Sequence, residues 1–358
     1  MLEIHQVLVS ASPGDAVTHS ALEIRSLLQR ITQSEIYVRH RDPALQDEVR
    51  LLDEYPAAAS KDTDQNILIY HSAIGDPDLV AFLMGRPERL VLVYHNITPS
   101  HYFQAFDPRF ALALEQGRLE LGVLRERTTA AIADSKFNAR ELEELGYRHV
   151  RVSPVLTTVG SLALTPPDYA VRERLRPDAP VVLCVAQLLP HKRYDLLLET
   201  HHVLTTHLIP EAQLVMVGGS PLPWYVGALD RIAFELNLQG VWRTGRVSDR
   251  QLAAFYRLAD VFVTMSEHEG FCVPLLEAMS FEVPIVARSW GAIPETLGDA
   301  GVLLPASSGP ILAAEAIAEA VSNPGLRTNL VNRGIERLES FHPEEARATF
   351  LRHLLEVV

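Results

Sequence analysis

Residues 261–279 read VFVTMSEHEGFCVPLLEAM and combine a buried strand, a short loop and the start of a helix. The apolar run Val261–Met265 is typical of a strand inside a parallel sheet. Pro274 suits the first turn of a helix, because its missing N–H would have no partner there. We therefore expect Glu269 on the loop at the carboxyl end of the strand, and Glu277 in the first turns of the helix.

Two carboxylates beside a helix N-terminus fit a ligand that is both anionic and rich in hydroxyls. The first amides of a helix have no intrahelical partner, and the positive end of the helix dipole favours anions. A nucleotide diphosphate sugar combines both chemistries. Its diphosphate would meet the amides, and its hydroxyls would meet Glu269 and Glu277. Glu267 and His268 adjoin Glu269, but neighbours on an extended loop point apart, so we predict no metal site there.

Length and composition narrow the class of protein. At 358 residues the chain should form about two domains, and 47% hydrophobic residues can fill their cores. A net charge of −13 argues against nucleic-acid binding, which needs a basic face. Two isolated cysteines indicate a reducing compartment. With no long apolar segment or leader evident, we predict a cytoplasmic protein with at most peripheral contact at the inner face of a membrane.

Short apolar runs alternate with amphipathic stretches in both halves of the chain, a pattern that predicts parallel sheets wrapped by helices. Examples are the strands Val181–Val185 and Gln213–Val217, and the helix Asp249–Leu258 with a capping box at its start. We predict an α/β fold of two facing doubly wound domains with a cleft between them. The predicted bounds are 1–158 for the first domain, 159–180 for a linker and 181–341 for the second domain.

Further candidate ligand residues follow predicted strands, because ligands bind at the carboxyl ends of strands in open parallel sheets. Lys192, one of only three lysines, follows the first strand of the second domain, where an ammonium can neutralise a phosphate. Arg193 adjoins it. His95 ends a strand of the first domain, where it can hydrogen-bond a sugar hydroxyl or a phosphate.

Glycine turns give weaker signals. Gly14 and Asp15 follow the first strand, and Gly218 follows a strand in the second domain. Glycine lets the backbone approach a ligand closely. The alternatives are ordinary turns, with Asp15 capping the next helix.

The motif Glu269-Gly270-Phe271 through Glu277-Ala278-Met279 resembles the E-x7-E signature of the retaining glycosyltransferases of family 4, which have the GT-B fold. The resemblance extends to Pro190-His191-Lys192-Arg193 and Val283-Pro284-Ile285. It covers almost all of the second half. In the first half, Tyr94-His95-Asn96-Ile97-Thr98-Pro99 resembles a bacterial branch of the same family.

The resemblance implies a set of roles. Glu269 would hold the hydroxyls of the donor sugar, Glu277 the ribose hydroxyls and Lys192 the diphosphate. His95 would face the donor sugar from the first domain, and Gly14 would line the phosphate side. The backbone amides of Phe271, Cys272 and Val273 would meet the phosphate and the sugar, and Gly270 beside them would also bind the donor. The last helix, 342–358, would return to the first domain.

The expected activity is therefore hexosyl transfer from a UDP- or GDP-sugar, with retention and without a metal or other cofactor, to a glycan, lipid-linked or small-molecule acceptor. The chain departs from the family at Gln187, where an arginine usually shares the diphosphate charge, and at Cys272, where glycine is common. Arg193 and Arg246 are candidate substitutes. The alternatives are a catalytically weak sugar-nucleotide-binding partner subunit, and an epimerase or phosphorylase of the same fold.

Overall fold

The computed structural model describes residues 2–56, 65–156 and 160–356. The chain forms two compact units, Met1–Thr157 together with Pro343–Val358, and Thr158–His342. The second unit is thus inserted between two pieces of the first.

The first unit is built on a parallel sheet. Within the described residues its strands are β1 (Ile4–Ala11), β2 (Ile36–Arg41), β3 (Arg50–Leu51), β4 (Ile67–Ser72), β5 (Arg89–Tyr94), β6 (Thr128–Ala133) and β7 (Val150–Val152). Their order across the sheet is β3-β2-β1-β4-β5-β6-β7. The order reverses between β1 and β4, as in dinucleotide-binding folds.

Helices cover both faces of this sheet. They are α1 (Ala16–Leu28), α2 (Pro77–Met84), α3 (Pro108–Leu124), α4 (Lys136–Glu144) and, from the end of the chain, α13 (Pro343–Leu355). Phe350 and Leu354 of α13 are buried with Ile24 of α1 and Ile69 of β4 in one apolar cluster. The returning helix therefore completes the core of the first unit.

The second unit repeats the same plan. Its strands are β8 (Val181–Val185), β9 (Gln213–Val217), β10 (Val241–Gly245), β11 (Val261–Thr264), β12 (Ile285–Arg288) and β13 (Val302–Leu304). The order is β10-β9-β8-β11-β12-β13, so both units are Rossmann-like. The helices are α5 (Ser161–Leu164), α6 (Tyr194–His207), α7 (Pro223–Glu235), α8 (Asp249–Leu258), α9 (Val273–Ser280), α10 (Ile293–Leu297), α11 (Pro310–Ser322) and α12 (Pro324–Glu339).

The segment 159–180, predicted as a linker, carries structure where it is described. Residues 160–180 contain α5 and a 3-10 helix, Tyr169–Arg174, and both pack against α8. The amide of Asp168 donates to the carbonyl of Arg250, 2.9 Å away. These residues extend the second unit.

Several predicted elements are confirmed at their predicted bounds. Val181–Val185 and Gln213–Val217 are strands, and Asp249–Leu258 is a helix whose Ser248 forms the capping box. The strand β3 and the helix α10 were not predicted, because two and five residues are too few to show a period. In the described part of the chain, we find no helix with the length and apolar character needed to cross a membrane.

We expect Phe350→Ala to destabilise the first unit by about 3–5 kcal/mol, because it removes a buried aromatic ring from the core. Leu355→Ala on the same helix is the control, since Leu355 is 44% exposed. The three tryptophans, Trp224, Trp242 and Trp290, lie in the second unit. Denaturant unfolding followed by circular dichroism should therefore shift more than unfolding followed by tryptophan fluorescence. Equal effects of the two substitutions would contradict this role of α13.

Candidate functional site

The reversal of strand order in the second unit brings two loops together. β8 and β11 are neighbours. From β8 the chain continues to β9 on one side of this pair, and from β11 it continues to β12 on the other side. The loop after β8 carries Lys192, and the loop after β11 carries Glu269. Their side chains meet, with Nζ of Lys192 2.8 Å from Oε1 of Glu269. Both side chains are largely buried, at 16% and 10% exposed.

Backbone contacts hold the two loops at this spacing. The amide of Glu267 donates to the carbonyl of His191 at 2.8 Å, which ties one loop to the other. Lys192 ends a 3-10 turn, Pro190–Lys192, that leads into α6. The ammonium is therefore presented by a fixed backbone.

Gly291, which follows β12, packs against the backbone of Glu269. The amide of Ala292 donates to the carbonyl of Glu269 at 2.9 Å. Gly291 has φ +58°, and a Cβ there would lie 2.4 Å from that carbonyl oxygen. Only glycine fits so close to another backbone. Gly291 was not predicted, and a lone Trp-Gly-Ala turn gives little signal in sequence.

The helix α9 begins without a side-chain cap. The side chain of its N-cap residue, Cys272, makes no capping hydrogen bond. The predicted segment Gly270, Phe271, Cys272 and Val273 leads into the helix, whose first residue is Val273. Thr296 braces the segment, because its hydroxyl donates to the carbonyl of Phe271 at 2.7 Å. The helix start is thus fixed. Pro274 has no N–H, and the amide of Leu275 donates to the carbonyl of Cys272 at 3.1 Å, so an anion would be met by the amides that precede Pro274.

Cys272 has a backbone conformation that favours glycine, which explains why glycine is common at this position in the family. Its φ is +72°, in the left-handed region that disfavours side chains. Burial raises the pKa of the Cys272 thiol well above its usual value. The thiol is therefore protonated at neutral pH, which argues against a nucleophile.

Glu277 is held by a tyrosine that the sequence analysis did not identify. The hydroxyl of Tyr256 on α8 donates to Oε2 of Glu277 at 2.7 Å. Burial raises the pKa of Glu277, and the hydrogen bond from Tyr256 opposes that rise. The bond fixes the carboxyl group and leaves Oε1 to accept from a ligand hydroxyl.

Arg193 lies beside Lys192 but is engaged by other carboxylates. Its guanidinium pairs with Asp195 at 2.9 Å and also with Glu267. The hydrogen bonds that Arg193 donates to Asp195 raise the pKa of Arg193 above its usual value. Arg288 pairs with the same Glu267 at 3.3 Å. Arg193 therefore stabilises the loops, and a ligand phosphate would have to compete for it.

The glycines and Asp15 have structural reasons for their identities. A Cβ on Gly218 would lie 2.0 Å from the carbonyl oxygen of Ala186, so packing demands glycine there. Gly14 has φ +73° and open space around it. The carboxylate of Asp15 caps α1 and accepts from the amide of Thr18 at 2.8 Å. The capping alternative for Asp15 is thus found in the structure.

His95 lies at the end of β5, as predicted, and both of its ring nitrogens have protein partners. Nδ1 is 2.7 Å from Oδ2 of Asp134, and Nε2 is 2.9 Å from Nδ1 of His71. Asp134 belongs to the stretch Ala133-Asp134-Ser135, which also resembles the bacterial branch of family 4. His71 gave no signal in sequence because it lies inside a buried strand. Within the described residues, no three His, Cys, Asp or Glu side chains are grouped to hold a metal.

We expect Gly291→Ala to destabilise the second unit by about 2 kcal/mol and to displace Glu269, because the new Cβ would overlap the Glu269 backbone. Gly227→Ala is the matched control. Gly227 lies within α7 with no atom in the way of a Cβ, so this substitution should stabilise by up to about 1 kcal/mol. Tryptophan fluorescence in denaturant measures both. A neutral Gly291→Ala would show that the loop does not need this close contact.

The match to a known protein family lies within the second unit. Residues 168–337 match the family described as "Glycosyl transferases group 1". A GDP-mannose-dependent alpha-(1-6)-phosphatidylinositol monomannoside mannosyltransferase of Mycolicibacterium smegmatis is 34% identical over 146 residues, 37% of each chain. A D-inositol 3-phosphate glycosyltransferase of Xylanimonas cellulosilytica is 28% identical over 235 residues, 62% of this chain and 55% of that protein. The chain thus spans about a third to a half of the curated relatives it matches.

Solved structures share the fold over the whole chain. Anabaena Alr3699/HepE, crystallised with UDP and glucose, has a TM-score of 0.78 at 16% identity and covers 99% of this chain and 100% of its own. A sucrose-phosphate synthase of Thermosynechococcus elongatus has a TM-score of 0.74 at 20% identity, covering 99% and 98%. The resemblance to the family 4 enzymes is confirmed: the chain has the GT-B fold, and residues 168–337 of its second unit match the glycosyl transferases group 1 family.

Proposed function

We propose that this protein transfers a hexose from a UDP- or GDP-sugar to a hydroxyl acceptor, with retention at the anomeric carbon and without a metal. The observation that carries the proposal is the pairing of Lys192 with Glu269 at 2.8 Å, where the strand order reverses. At this point the Lys192 ammonium suits the diphosphate of a donor, and the Glu269 carboxylate suits the hydroxyls of its sugar. The uncapped start of α9 supplies amides in the same loop.

Donor binding would exchange one partner of Lys192 for another. The ammonium leaves the Glu269 carboxylate and meets the diphosphate, which carries more charge. Glu269 is then released to accept from hydroxyls of the sugar. A Lys192 that follows the leaving group stabilises the charge that grows as the glycosidic bond breaks, together with the α9 amides and dipole.

Retention needs either a carboxylate beneath the anomeric carbon or attack on the same face as departure. A double displacement would use a carboxylate as nucleophile. In this proposal Glu269 binds ring hydroxyls, so the acceptor hydroxyl attacks from the leaving-group side. Its proton passes to the departing phosphate oxygen as the new bond to the anomeric carbon forms.

The nucleotide of the donor is proposed to be either UDP or GDP. The mycobacterial relative is named as GDP-mannose-dependent, whereas the Anabaena structure holds UDP. Glu277 grips the ribose in either, because Oε1 can accept from its hydroxyls while Tyr256 holds Oε2. The acceptor is proposed as a glycan, a lipid-linked sugar or a small molecule, and the site of action as the cytoplasm with at most peripheral membrane contact.

Gln187 favours a second candidate, a sugar-nucleotide-binding partner subunit with weak catalysis. The side chain is exposed and uncharged where the family usually has arginine. Loss of that charge would weaken diphosphate binding by about 1–2 kcal/mol. The retained Lys192, Glu269 and Glu277 favour the enzyme.

A thermal-shift panel of UDP-, GDP- and ADP-sugars tests both candidates, because a ligand selective for the native state raises the melting temperature. At a concentration of about 100 Kd the gain is about 2.7 kcal/mol. Slow hydrolysis of the stabilising donor by pure protein, followed by chromatography, then identifies the enzyme. A stabilising donor that is never consumed supports the binding subunit, and no stabilisation by any of them contradicts both.

We expect Lys192→Ala and Glu269→Ala each to lower transfer by at least about 100-fold, since each removes a charge that meets the reacting donor. Arg231→Ala and Glu315→Ala are the controls, because they remove exposed charges of α7 and α11. Initial rates at saturating donor measure the effect. Near-normal turnover in either site variant would end its proposed role.

We expect Glu277→Gln to abolish donor-induced stabilisation and yet to stabilise the free protein at neutral pH. The pKa of Glu277 is raised from 4.5 in the folded state, so folding is favoured where this group is protonated. That contribution is present below pH 4.5 and is lost as the pH rises through the folded pKa. The melting-temperature difference between Glu277→Gln and the wild type should therefore open as the pH rises from 4 to 7. Glu315→Gln should show no such difference; a pH-independent difference for Glu277→Gln would show that ionisation is not its cause.

A further inference from the structure

Four polar side chains form a hydrogen-bonded row across the sheet of the first unit. Oε1 of Gln6 is 2.8 Å from Nε2 of His71, whose Nδ1 is 2.9 Å from Nε2 of His95. Nδ1 of His95 is 2.7 Å from Oδ2 of Asp134. All four side chains are buried. We call these four residues the polar row.

Strand register places the row on one face of the sheet. Gln6 is paired with Ile69, two residues before His71. His71 is paired with Val93, two residues before His95. Residues two apart along a strand share a face, so each of these two steps advances toward the carboxyl edge. The step from His95 to Asp134 stays level, since Tyr94 is paired with Ala133. The row runs diagonally from the middle of β1 to the ends of β5 and β6.

The direction of the hydrogen bonds is fixed at the Gln6 end. The side-chain amide nitrogen of Gln6 donates to the carbonyl of Ala21 on α1 at 3.1 Å. A carbonyl only accepts, so the amide nitrogen must face Ala21 and the amide oxygen must face His71. Nε2 of His71 therefore carries a hydrogen and donates it to Gln6.

Counting hydrogens along the row then determines the state of the His95–Asp134 pair. Burial lowers the pKa of His71 well below its usual value, so its ring is neutral and carries only the hydrogen on Nε2. Its Nδ1 must accept, and Nε2 of His95 must donate. The 2.7 Å contact between Nδ1 of His95 and Asp134 needs another hydrogen. Histidine holds that hydrogen in preference to aspartate.

We propose that Gln6 and His71 are positioning residues that hold His95 as an imidazolium paired with the Asp134 carboxylate, so that His95 cannot act as a base. Both N–H groups of His95 are already donated within the protein. At the end of β5 the row thus holds an imidazolium whose charge is balanced by the Asp134 carboxylate. The assignment of the protons stands independently of the proposed function; only its use with a donor rests on it.

The surroundings of the row leave this assignment undisturbed. The charge that acts on His71 is that of His95 itself. The helices α1 and α13, which cover this face, contribute apolar side chains such as Ile24 and Phe350 to it. Among the charged residues of these helices, Glu23 pairs with Arg347 at 3.0 Å, Arg347 also with Glu344 at 2.7 Å, and Arg25 with Glu48. Lys136, two residues beyond Asp134, is exposed at the start of α4.

The test is a long-range proton–nitrogen correlation spectrum of the protein labelled with ¹⁵N at histidine, recorded at pH 7.5. His71→Gln and His95→Gln identify the two rings by loss of their signals. We expect a neutral ring with its hydrogen on Nε2 for His71, and a doubly protonated ring for His95. A neutral His95, whichever nitrogen carries its hydrogen, would overturn the proposal. This measurement needs neither donor nor activity, so it can fail while the proposed function holds.

Two substitutions of Gln6 test its part in the row. Gln6→Met removes the acceptor while keeping the volume, so His71 is released to place its hydrogen on Nδ1 and His95 should become neutral at pH 7.5. Gln6→Glu keeps an acceptor opposite His71, so His95 should stay doubly protonated. Identical His95 spectra in these two variants would contradict the positioning role. If Gln6→Met does not fold, the spectrum of the wild type still decides the protonation state.

Activity supplies a second readout once a donor is known. In Gln6→Met, transfer should be impaired most at pH 8 and should recover toward the wild-type rate as the pH is lowered to 6, because the acid restores the charge on His95. A deficit that is equal at both pH values would show that Gln6 acts only on the packing of the sheet.

Discussion

The site of the second unit depends on one constraint, the reversal of strand order between β8 and β11. Crossover connections in parallel sheets are right-handed. Because the chain leaves β8 and β11 in opposite directions across the sheet, the loops after these two strands run to different helix layers and separate at the edge of the sheet. The chain fills that gap with a paired cation and carboxylate, Lys192 and Glu269. Each would be costly to bury alone, and each is tolerable because the other is there. In the first unit, the neighbouring strands β1 and β4 are linked across one face of the sheet by the hydrogen bond between Gln6 and His71.

Sequence reasoning recovers the fold because each half of the chain repeats the same alternation of apolar runs and amphipathic stretches. It also predicts that the candidate residues Lys192 and Glu269 lie on loops after strands, which is where the structure has them. Lys192 and Glu269 meet although 77 residues separate them, because each follows one of two neighbouring strands at the reversal of strand order. Where a candidate lies along a strand is therefore more informative than its residue type.

What the sequence conceals is support that acts across distant segments. Tyr256 holds Glu277 from another helix, Gly291 leaves room for the Glu269 backbone, and His71 reaches His95 across two strands. None of these has a local pattern, because each depends on a backbone or side chain that only the fold brings near. Gly218 shows the converse, since a glycine that looked like room for a ligand is required by the carbonyl of Ala186.

The position of α13 has a bearing on how the chain is made. Phe350 and Leu354 complete a core whose other members lie in the first 156 residues, so that core stays open until the final helix has been synthesised. The inserted unit, Thr158–His342, holds all of its own strands and can fold first. During translation the half that begins the chain is thus the later one to close. Its uncovered sheet face is the surface on which a nascent chain of this protein most needs protection from aggregation.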